Sequence, residues 1–390
     1  MNGSRRRFGC ALCGLAWLAL ARGAAAQSAG ARFLAPHYQP PAGSDEQGLW
    51  QMMDRVEQEL KTSPFVIRDA KLNARLRDIA CRLARDHCAD MRIYVVRTPH
   101  FNASMAPNGM MEVWTGLLLR CNDEAQLAAI LGHEMGHYLR RHTLQGYRDA
   151  REKSSFGAFL GLGLAAAGVG YAGGLANLAL LASMFAFTRD QEREADQIGL
   201  ELMAKAGYAP LAAPEVWQQL LAEAKAGTAD QSQNLMFATH PAPEERLATL
   251  RTRAEELGGT KGERDAARYR AMLAGVRAEI VGDELALRQY GRSEVVFDRL
   301  LAQSPDDGLL WYAKGEICRL RGESGDPARA LEAYLKALAA QGAPPETYRS
   351  IVMVELKLGR RDRAQAAFET YLKLKPDAPD AAGLRMLLEQ

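Results

Sequence analysis

The sequence lacks an excess of charge of either sign. Its 49 Lys and Arg residues nearly balance its 47 Asp and Glu residues, which leaves a formal net charge of +2 over 390 residues. It also lacks a long Lys/Arg run, so nothing in it resembles the basic surface with which proteins hold nucleic acid, and we expect no nucleic-acid partner. A charged fraction of 25% and a hydrophobic fraction of 48% are typical of a globular chain, and the length is sufficient for two domains.

Cysteine is scarce, with six residues in the chain. No Cys-x-x-Cys pair lies outside the N-terminal leader, which argues against a cysteine-ligated zinc knuckle. Cys81 and Cys88 are separated by about two helical turns, too far for a disulfide within one straight helix, so they can pair only if the helix ends near His87. Cys88–Cys121 is the competing pair, and Cys318 is predicted to be a buried thiol.

The N-terminus has the composition of an export signal. Arg5–Arg7 form a positive segment, the apolar stretch that follows is short for a membrane span, and Ala24–Ala26 offer a cleavage site. We therefore predict a signal peptide over residues 1–26, a linker over residues 27–44, and a mature protein in the periplasm, exported by the Sec or the twin-arginine route. An uncleaved membrane anchor is the alternative.

A second stretch lacks charge altogether, between Lys153 and Arg189. It is rich in Gly, Ala and Leu and is long enough to cross a bilayer once. A single crossing would place His133 and the residues after Arg189 on opposite sides of the membrane. If both flanks share one site, residues 154–188 form a helical hairpin that is buried or makes peripheral membrane contact, and we favour this over a span.

Elsewhere the pattern predicts helices around a small sheet. The run from Met91 to Arg97 is strand-like, and a Pro-Asn-Gly turn separates two short strands within residues 101–114. Asn122 is placed to cap the helix that follows. Helical periodicity also covers residues 45–60 and 70–85. The predicted fold class is mainly α, with a minor β-sheet.

The central motif is Gly132-His133-Glu134-Met135-Gly136-His137. One helical turn separates the two histidines, so both imidazoles project from one side of a helix and can share a metal ion. Glu134 lies among apolar residues, where an unpaired carboxylate is costly, and it is placed to take a proton from an attacking water. The alternative is two surface histidines on an amphipathic helix, and further ligands elsewhere in the chain decide between the two interpretations.

A second helix, which opens with Arg189–Asp196, can supply the missing ligand. Glu192 and Asp196 are four residues apart and point the same way, whereas Glu192 and Glu194 cannot both face one site. Catalytic zinc takes three protein ligands and leaves one position for water, so Glu192 is the natural third ligand after the two histidines. Asp196 is placed to orient a ligating histidine. The alternative is a solvent-facing row of Arg and Glu side chains.

From about Glu263 the composition favours helical hairpins. Phe297, Tyr334 and Phe368 recur at spacings close to the roughly 34 residues of a tetratricopeptide (TPR) repeat. We therefore predict an α-helical TPR-like solenoid over residues 263–390. Because three degenerate repeats are near the minimum for a stable solenoid, an irregular helical bundle is the alternative.

Three motifs together resemble one family. Gly132–His137, Arg189–Asp196 and the pair His240 and Arg246 are similar to the HExxH/ExxxD zinc metallopeptidases related to HtpX and the CAAX-prenyl proteases. The leader and the repeat tail are most similar to its periplasmic, TPR-containing members, which act in β-barrel assembly. The resemblance implies a zincin-type helical metallopeptidase domain over residues 45–262.

The resemblance also assigns roles to individual residues. It implies one Zn²⁺ per chain, held by His133, His137 and Glu192, with Glu134 and Asp196 among the catalytic residues.

Two further assignments come from the resemblance. His240 is implied as a fourth zinc ligand that keeps the enzyme latent, because a fourth protein ligand would displace the attacking water. The alternative is a histidine that contacts substrate or stabilises the oxyanion. Asn102 and Ala103 are implied to lie at a strand edge where substrate pairs as an added β-strand. Arg246 is expected to support the site in an unassigned role.

The expected function is that of a secreted zinc endopeptidase that cleaves misfolded or misassembled envelope proteins. Its tail would bind these clients or the outer-membrane β-barrel assembly machinery. The alternative is a chaperone-like TPR assembly factor whose metal site is silenced. The sequence favours the enzyme, because every catalytic residue is present.

Overall fold

The computed structural model describes residues 33–152, 187–227, 240 and 243–389. The predicted signal peptide at residues 1–26 and nearly all of the uncharged stretch at residues 154–188 lie outside the described residues. Among the helices of the described ranges, none combines the length and the hydropathy that a membrane crossing requires.

The described chain is mainly helical, with one small sheet, which confirms the predicted fold class. The first helices are α1 (Asp45–Thr62), α2 (Ala70–Ala84), α3 (Thr115–Arg120), α4 (Glu124–Leu139) and α5 (His142–Glu152). The next are α6 (Arg189–Lys205), α7 (Ala212–Ala226) and α8 (Pro243–Glu256). The tail comprises α9 (Ala266–Leu273), α10 (Arg277–Ala286), α11 (Tyr290–Gln303), α12 (Gly308–Arg321), α13 (Asp326–Ala339), α14 (Glu346–Lys357), α15 (Arg361–Leu374) and α16 (Ala381–Glu389).

The sheet has three strands in the order β1-β3-β2. They are β1 (Arg92–Val96), β2 (Ala103–Met105) and β3 (Met110–Trp114). β2 and β3 pair antiparallel as the predicted hairpin, whereas β1 joins β3 in parallel. Gly109 makes the turn at φ 87°, and a Cβ there would lie 2.1 Å from the Asp90 carbonyl oxygen, so the turn requires glycine. The central strand β3 is buried along its whole length, and β2 forms an edge of the sheet.

The disulfide joins Cys81 to Cys88. Helix α2 ends at Ala84, Arg85 takes a left-handed φ of 49°, and a 3₁₀ turn brings the two Cα atoms to 4.6 Å. The sequence left this pairing conditional on such a helix end. The competing Cys88–Cys121 pair is wrong, because Cys121 is a buried free thiol. Cys318 is also a buried free thiol, as predicted.

The start of α4 corrects one prediction. Asp123, rather than Asn122, is the N-cap, and its Oδ1 accepts from the backbone N–H of Gln126 at 2.9 Å. The Asn122 backbone N–H instead donates to Gln126 Oε1 at 2.9 Å. Asn and Asp are both good N-cap residues, and here the Asp123 side chain is the one that bonds to the first turn of the helix.

The segment before α1 is attached to the helical core. It has no helix or strand between Phe33 and Pro41. However, Leu34 is buried, and its backbone N–H donates to the carbonyl of Leu139 at the end of α4 (2.9 Å). This part of the linker therefore packs on the domain that it precedes.

The main hydrophobic core continues across the predicted boundary between residues 262 and 263. Tyr269, Phe297 and Ile317 of the tail belong to the same buried cluster as Leu118 and Leu131. The Tyr269 hydroxyl donates to the Leu118 carbonyl at 2.7 Å. Helices α9–α12 therefore complete the core of the preceding domain.

The rest of the tail packs as successive helices. Phe297, Tyr334 and Phe368, which define the predicted repeat, are all buried. Gly315 on α12 lies against the ring of Tyr334 on α13, where a Cβ would come within 2.2 Å of Cε1. This packing is compatible with the TPR-like arrangement, which remains a prediction.

Candidate active site

Helices α4 and α6 cross with their backbones in contact. A Cβ on Gly132 would lie 3.0 Å from the Gly199 carbonyl oxygen, and a Cβ on Gly136 would lie 2.9 Å from the Cα of Ala195. Larger residues at these positions would push the helices apart. The glycines that flank the histidines thus bring α6 close enough for its carboxylates to reach them.

The start of α6 places its acidic residues. Thr188 and Gln191 form a capping box, in which each side chain accepts from the backbone N–H of the other residue. The cap fixes the first turn, so Glu192 emerges at the helix start, where the dipole favours a carboxylate. Phe187, just before the cap, stacks on the His137 ring with centroids 3.7 Å apart. This stacking restricts the orientation of that imidazole.

Four side chains, His133, His137, Glu192 and His240, converge on one point, and all four are buried. The Nε2 atoms of His133 and His137 are 3.1 Å apart, and His240 Nδ1 lies 3.2 Å from His133 Nε2. Glu192 Oε1 lies 3.0 Å from His240 Nδ1 and 3.4 Å from His137 Nε2. The structure brings together all four residues that the sequence nominated as ligands.

The donor atoms of this cluster fit a tetrahedral metal ion. Zinc–nitrogen bonds of about 2.0–2.1 Å imply ligand–ligand edges of about 3.3 Å in a tetrahedron. Five of the six residue pairs in the cluster have donor atoms 3.0–3.5 Å apart, and all four donor atoms lie within 4.8 Å of one another. Three imidazoles and a carboxylate are a donor set that suits zinc. Burial keeps the pKa of the His137 imidazole well below its usual value, which favours the neutral form that can ligate a metal.

Glu134 lies next to the cluster but outside it. Its Oε1 is buried without a hydrogen-bond partner among the described residues, and His240 Nε2 is 3.6 Å away. Burial raises the pKa of this carboxyl group above its usual value. A buried carboxylate oxygen of raised pKa, with no hydrogen-bond partner among the described residues, is suited to accept a proton from a molecule bound at the cluster.

Asp196 contacts Nδ1 of His133, the ring nitrogen that is not in the cluster, as the sequence predicted. Its Oδ1 lies 3.0 Å from His133 Nδ1. Arg246 pairs with both Asp196 oxygens and also forms an ion pair with Glu192. Burial favours a higher pKa for Asp196, but Arg246 and His133 outweigh it and hold the pKa below the usual value. Arg246, to which the sequence gave no role, stacks over Trp217 at 4.2 Å.

The sequence missed His142 and Glu194. His142 is fully buried, and its Nδ1 lies 2.9 Å from His137 Nδ1. Its Nε2 lies 3.0 Å from Glu194 Oε2. Glu194 indeed points away from Glu192, as predicted, yet it reaches the site through His142. The chain reversal that places His142 depends on Arg141 at φ 56°, a conformation that a non-glycine sequence does not signal.

Asn102 and Ala103 lie at the start of β2. Ala103 opens the strand, Asn102 immediately precedes it, and both are buried. Asn102 Oδ1 has no hydrogen-bond partner among the described residues. Met105, at the other end of β2, lines the same small cavity as His137. This edge strand therefore runs beside the metal-ligand cluster, and its role in substrate binding remains a prediction.

These elements define the site of an HExxH metallopeptidase. Residues 67–254, just under half of the chain, match the model of peptidase family M48.

Named proteases are similar to part of this chain. The chain is 28% identical to the beta-barrel assembly-enhancing protease of Escherichia coli over 217 residues, which cover 53% of this chain and 44% of that protein. It is 36% identical to the mitochondrial metalloendopeptidase OMA1 of Schizosaccharomyces pombe over 161 residues, or 40% of this chain and 45% of that protein. The matches thus cover about half or less of these relatives.

Proposed function

We propose that the chain is a zinc endopeptidase that acts on unfolded or misassembled proteins of the bacterial envelope. The observation that carries the proposal is the convergence of four buried donor atoms at tetrahedral edge distances. His133, His137 and Glu192 would hold one Zn²⁺. Zinc, when bound, supplies a Lewis acid that lowers the pKa of water and polarises a carbonyl group.

The other side chains of the site have separate catalytic and positioning roles. Glu134 is the general base that takes the proton of the attacking water, and it then returns a proton to the leaving amine. Burial raises the pKa of the Glu134 carboxyl group above its usual value, which favours its role as proton acceptor and donor. Asp196 and Arg246 hold His133 in place and balance the buried charge.

The substrate is proposed to be an extended peptide segment. Asn102 and Ala103 would lie at the edge where such a segment adds to β2 as a further strand. A peptide must be unfolded to pair in this way, which favours misassembled clients over folded ones. The name of the Escherichia coli relative supports envelope assembly as the setting, and the predicted signal peptide supports the periplasm.

The TPR-like tail is proposed to bind clients or the outer-membrane β-barrel assembly machinery. We assign this role to α13–α16, because α9–α12 are engaged in the core of the peptidase domain. The uncharged stretch at residues 154–188 stays a candidate for peripheral membrane contact.

One observation favours a second, regulated mode of action. His240 Nδ1 joins the metal-ligand cluster while its Nε2 faces Glu134, so this one ring stands between the metal site and the base. Occupation of the fourth ligand position would keep the enzyme latent. A latent enzyme that engages clients through its tail would act as the chaperone-like assembly factor of the alternative hypothesis.

The test compares Glu134→Gln with its parent in two backgrounds, wild type and His240→Ala, so that latency cannot hide activity. We expect every variant to retain one zinc per chain by metal analysis. Cleavage of an unfolded outer-membrane barrel protein should disappear in both Glu134→Gln variants. Glu201→Gln, on the far part of α6, is the matched control and should leave cleavage unchanged. Cleavage that survives Glu134→Gln would refute the assigned base, and a protein without zinc would refute the whole proposal.

A further inference from the structure

A chain of three side chains connects the metal-ligand cluster to the surface. His137 Nδ1 lies 2.9 Å from His142 Nδ1, and His142 Nε2 lies 3.0 Å from Glu194 Oε2. Glu194 is 38% exposed and pairs with Arg140 through its other oxygen at 2.7 Å. The inner two members are buried, whereas the outer carboxylate reaches solvent.

The chemistry of these atoms fixes where each proton lies. An ionised carboxylate can only accept, so His142 Nε2 must donate to Glu194. A neutral imidazole carries one N–H, so His142 Nδ1 is then an acceptor, and His137 Nδ1 must donate to it. With its proton on Nδ1, His137 has an unprotonated Nε2, and this atom faces the other ligands of the cluster.

The opposite arrangement is unfavourable at both ends. If His142 carried its proton on Nδ1, its Nε2 lone pair would face the Glu194 carboxylate. His137 Nδ1 would then accept, and its proton would move to Nε2, which points into the cluster and could no longer ligate a metal. The carboxylate of Glu194 therefore selects the correct tautomer of a ligand two side chains away.

We propose that His142 and Glu194 are positioning residues that set the Nδ1–H tautomer of His137 and so prepare its Nε2 for zinc. The proposal rests on the zinc site of the proposed function. It gives His137 a support of its own, separate from the one that Asp196 gives His133. Both ligating histidines are thus backed by an acidic side chain of α6, one directly and one through an intervening imidazole.

The sharpest variant is Glu194→Gln, which keeps the shape of a partly exposed side chain. Arg140 can only donate, so it holds the amide oxygen, and the amide NH₂ then faces His142 Nε2. An NH₂ group cannot accept, so the variant favours the wrong tautomer of His142. We expect zinc affinity, measured by competition with a chromophoric chelator on the full chain, to fall about 10-fold. Glu201→Gln, a Glu of similar exposure on the same helix, should bind zinc like wild type.

Two variants of His142 separate positioning from simple packing. His142→Ala removes the acceptor and should lose about 10- to 100-fold in zinc affinity. His142→Asn places an amide oxygen near the former Nδ1 and should recover most of the loss. A purely structural role predicts no such rescue.

Nitrogen-15 NMR of histidine-labelled wild-type protein reads the tautomers directly, without any substitution. We expect His142 to carry its proton on Nε2 and His137 on Nδ1. A proton on His142 Nδ1, or wild-type zinc affinity in Glu194→Gln, would overturn the proposal. Wild-type protein that binds no zinc would overturn both the proposed function and this inference. Variants that bind zinc like wild type would overturn this inference and leave the proposed function standing.

Discussion

Arg246 holds Asp196 through two parallel contacts, Nε to Oδ2 at 2.7 Å and Nη2 to Oδ1 at 2.6 Å. The same guanidinium pairs with Glu192, and Asp196 in turn contacts His133. One buried cation therefore connects a ligand carboxylate with the carboxylate that orients a ligand histidine. Without it, two buried negative charges would lie close together with less compensation.

Arg246→Ala should therefore weaken both the metal site and the fold. We expect a loss of about 10- to 100-fold in zinc affinity and about 3–5 kcal/mol in the free energy of unfolding. Arg246→Lys keeps the charge but not the two parallel contacts, so it should fall between alanine and wild type. Chelator competition and urea unfolding provide the two measurements.

The control for this prediction lies on the same helix. Arg253 pairs with Glu256 near the surface, so Arg253→Ala should change neither quantity. If Arg246→Ala binds zinc as tightly as the Arg253→Ala control does, Arg246 does not support the metal site.

His240→Ala tests latency. The variant keeps His133, His137 and Glu192, so it should retain zinc while the fourth position opens to water. We expect faster cleavage of an unfolded protein, or faster self-cleavage, than in wild type. His240→Ala combined with Glu134→Gln is the control and should be inactive. Equal or slower cleavage in His240→Ala would instead assign His240 to substrate contact or oxyanion stabilisation.

The sequence allowed His133, His137 and Glu192 to be predicted because the spacing within each motif is local, whereas His240 was assigned from the family resemblance. Histidines four residues apart on a helix must share a side, and the same rule joins Glu192 to Asp196. The helix crossing that unites the two motifs depends on Gly132, Gly136 and Gly199, which read as ordinary glycines until their close contacts are seen.

What the sequence could not provide depends on contacts between distant segments or on rare backbone conformations. His142 enters the site because Arg141 adopts a left-handed φ, and Glu194 matters through that histidine alone. The predicted boundary at residue 263 does not divide the core, because Arg120 and Glu284 pair across it. Periodicity reports which face of a helix is apolar and not which distant helix covers it.

The buried pair of Arg120 and Glu284 leads to a prediction about how the tail contributes to stability. Arg120 Nε lies 2.6 Å from Glu223 Oε2, and its Nη2 lies 3.0 Å from Glu284 Oε2. Glu284 also accepts from the Ser293 hydroxyl at 2.8 Å. Glu284→Ala would remove one of the two carboxylates that compensate the buried Arg120 and should cost about 3–5 kcal/mol in the free energy of unfolding.

The neighbouring residue gives the matched control. Asp283 pairs with Arg97, whose side chain is 41% exposed, so Asp283→Ala should cost about 1 kcal/mol or less. The free energy of unfolding of both variants is measured in urea, and their zinc content is measured in addition. Equal costs for the two variants would mean that the early tail helices are not part of the peptidase core.

Asp326 predicts a pH dependence of stability in the tail. It opens α13, pairs with Arg321 at 2.8 Å and accepts from the Glu323 backbone N–H at 2.9 Å. The hydrogen bonds from Arg321 are the main reason that the pKa of Asp326 falls from 3.8 to about 2. Because the folded pKa is depressed, the stabilisation is complete above the unfolded value of 3.8 and is lost as the pH falls toward 2.

Asp326→Asn should therefore cost about 1–2 kcal/mol in the free energy of unfolding at neutral pH, and this difference from wild type should disappear as the pH falls from 3.8 toward 2. Urea unfolding midpoints of wild type and Asp326→Asn across this pH range measure the difference in stability, and Asp377→Asn, at an exposed position, is the control. A difference that stays constant with pH would show that the carboxylate charge does not stabilise the start of this helix.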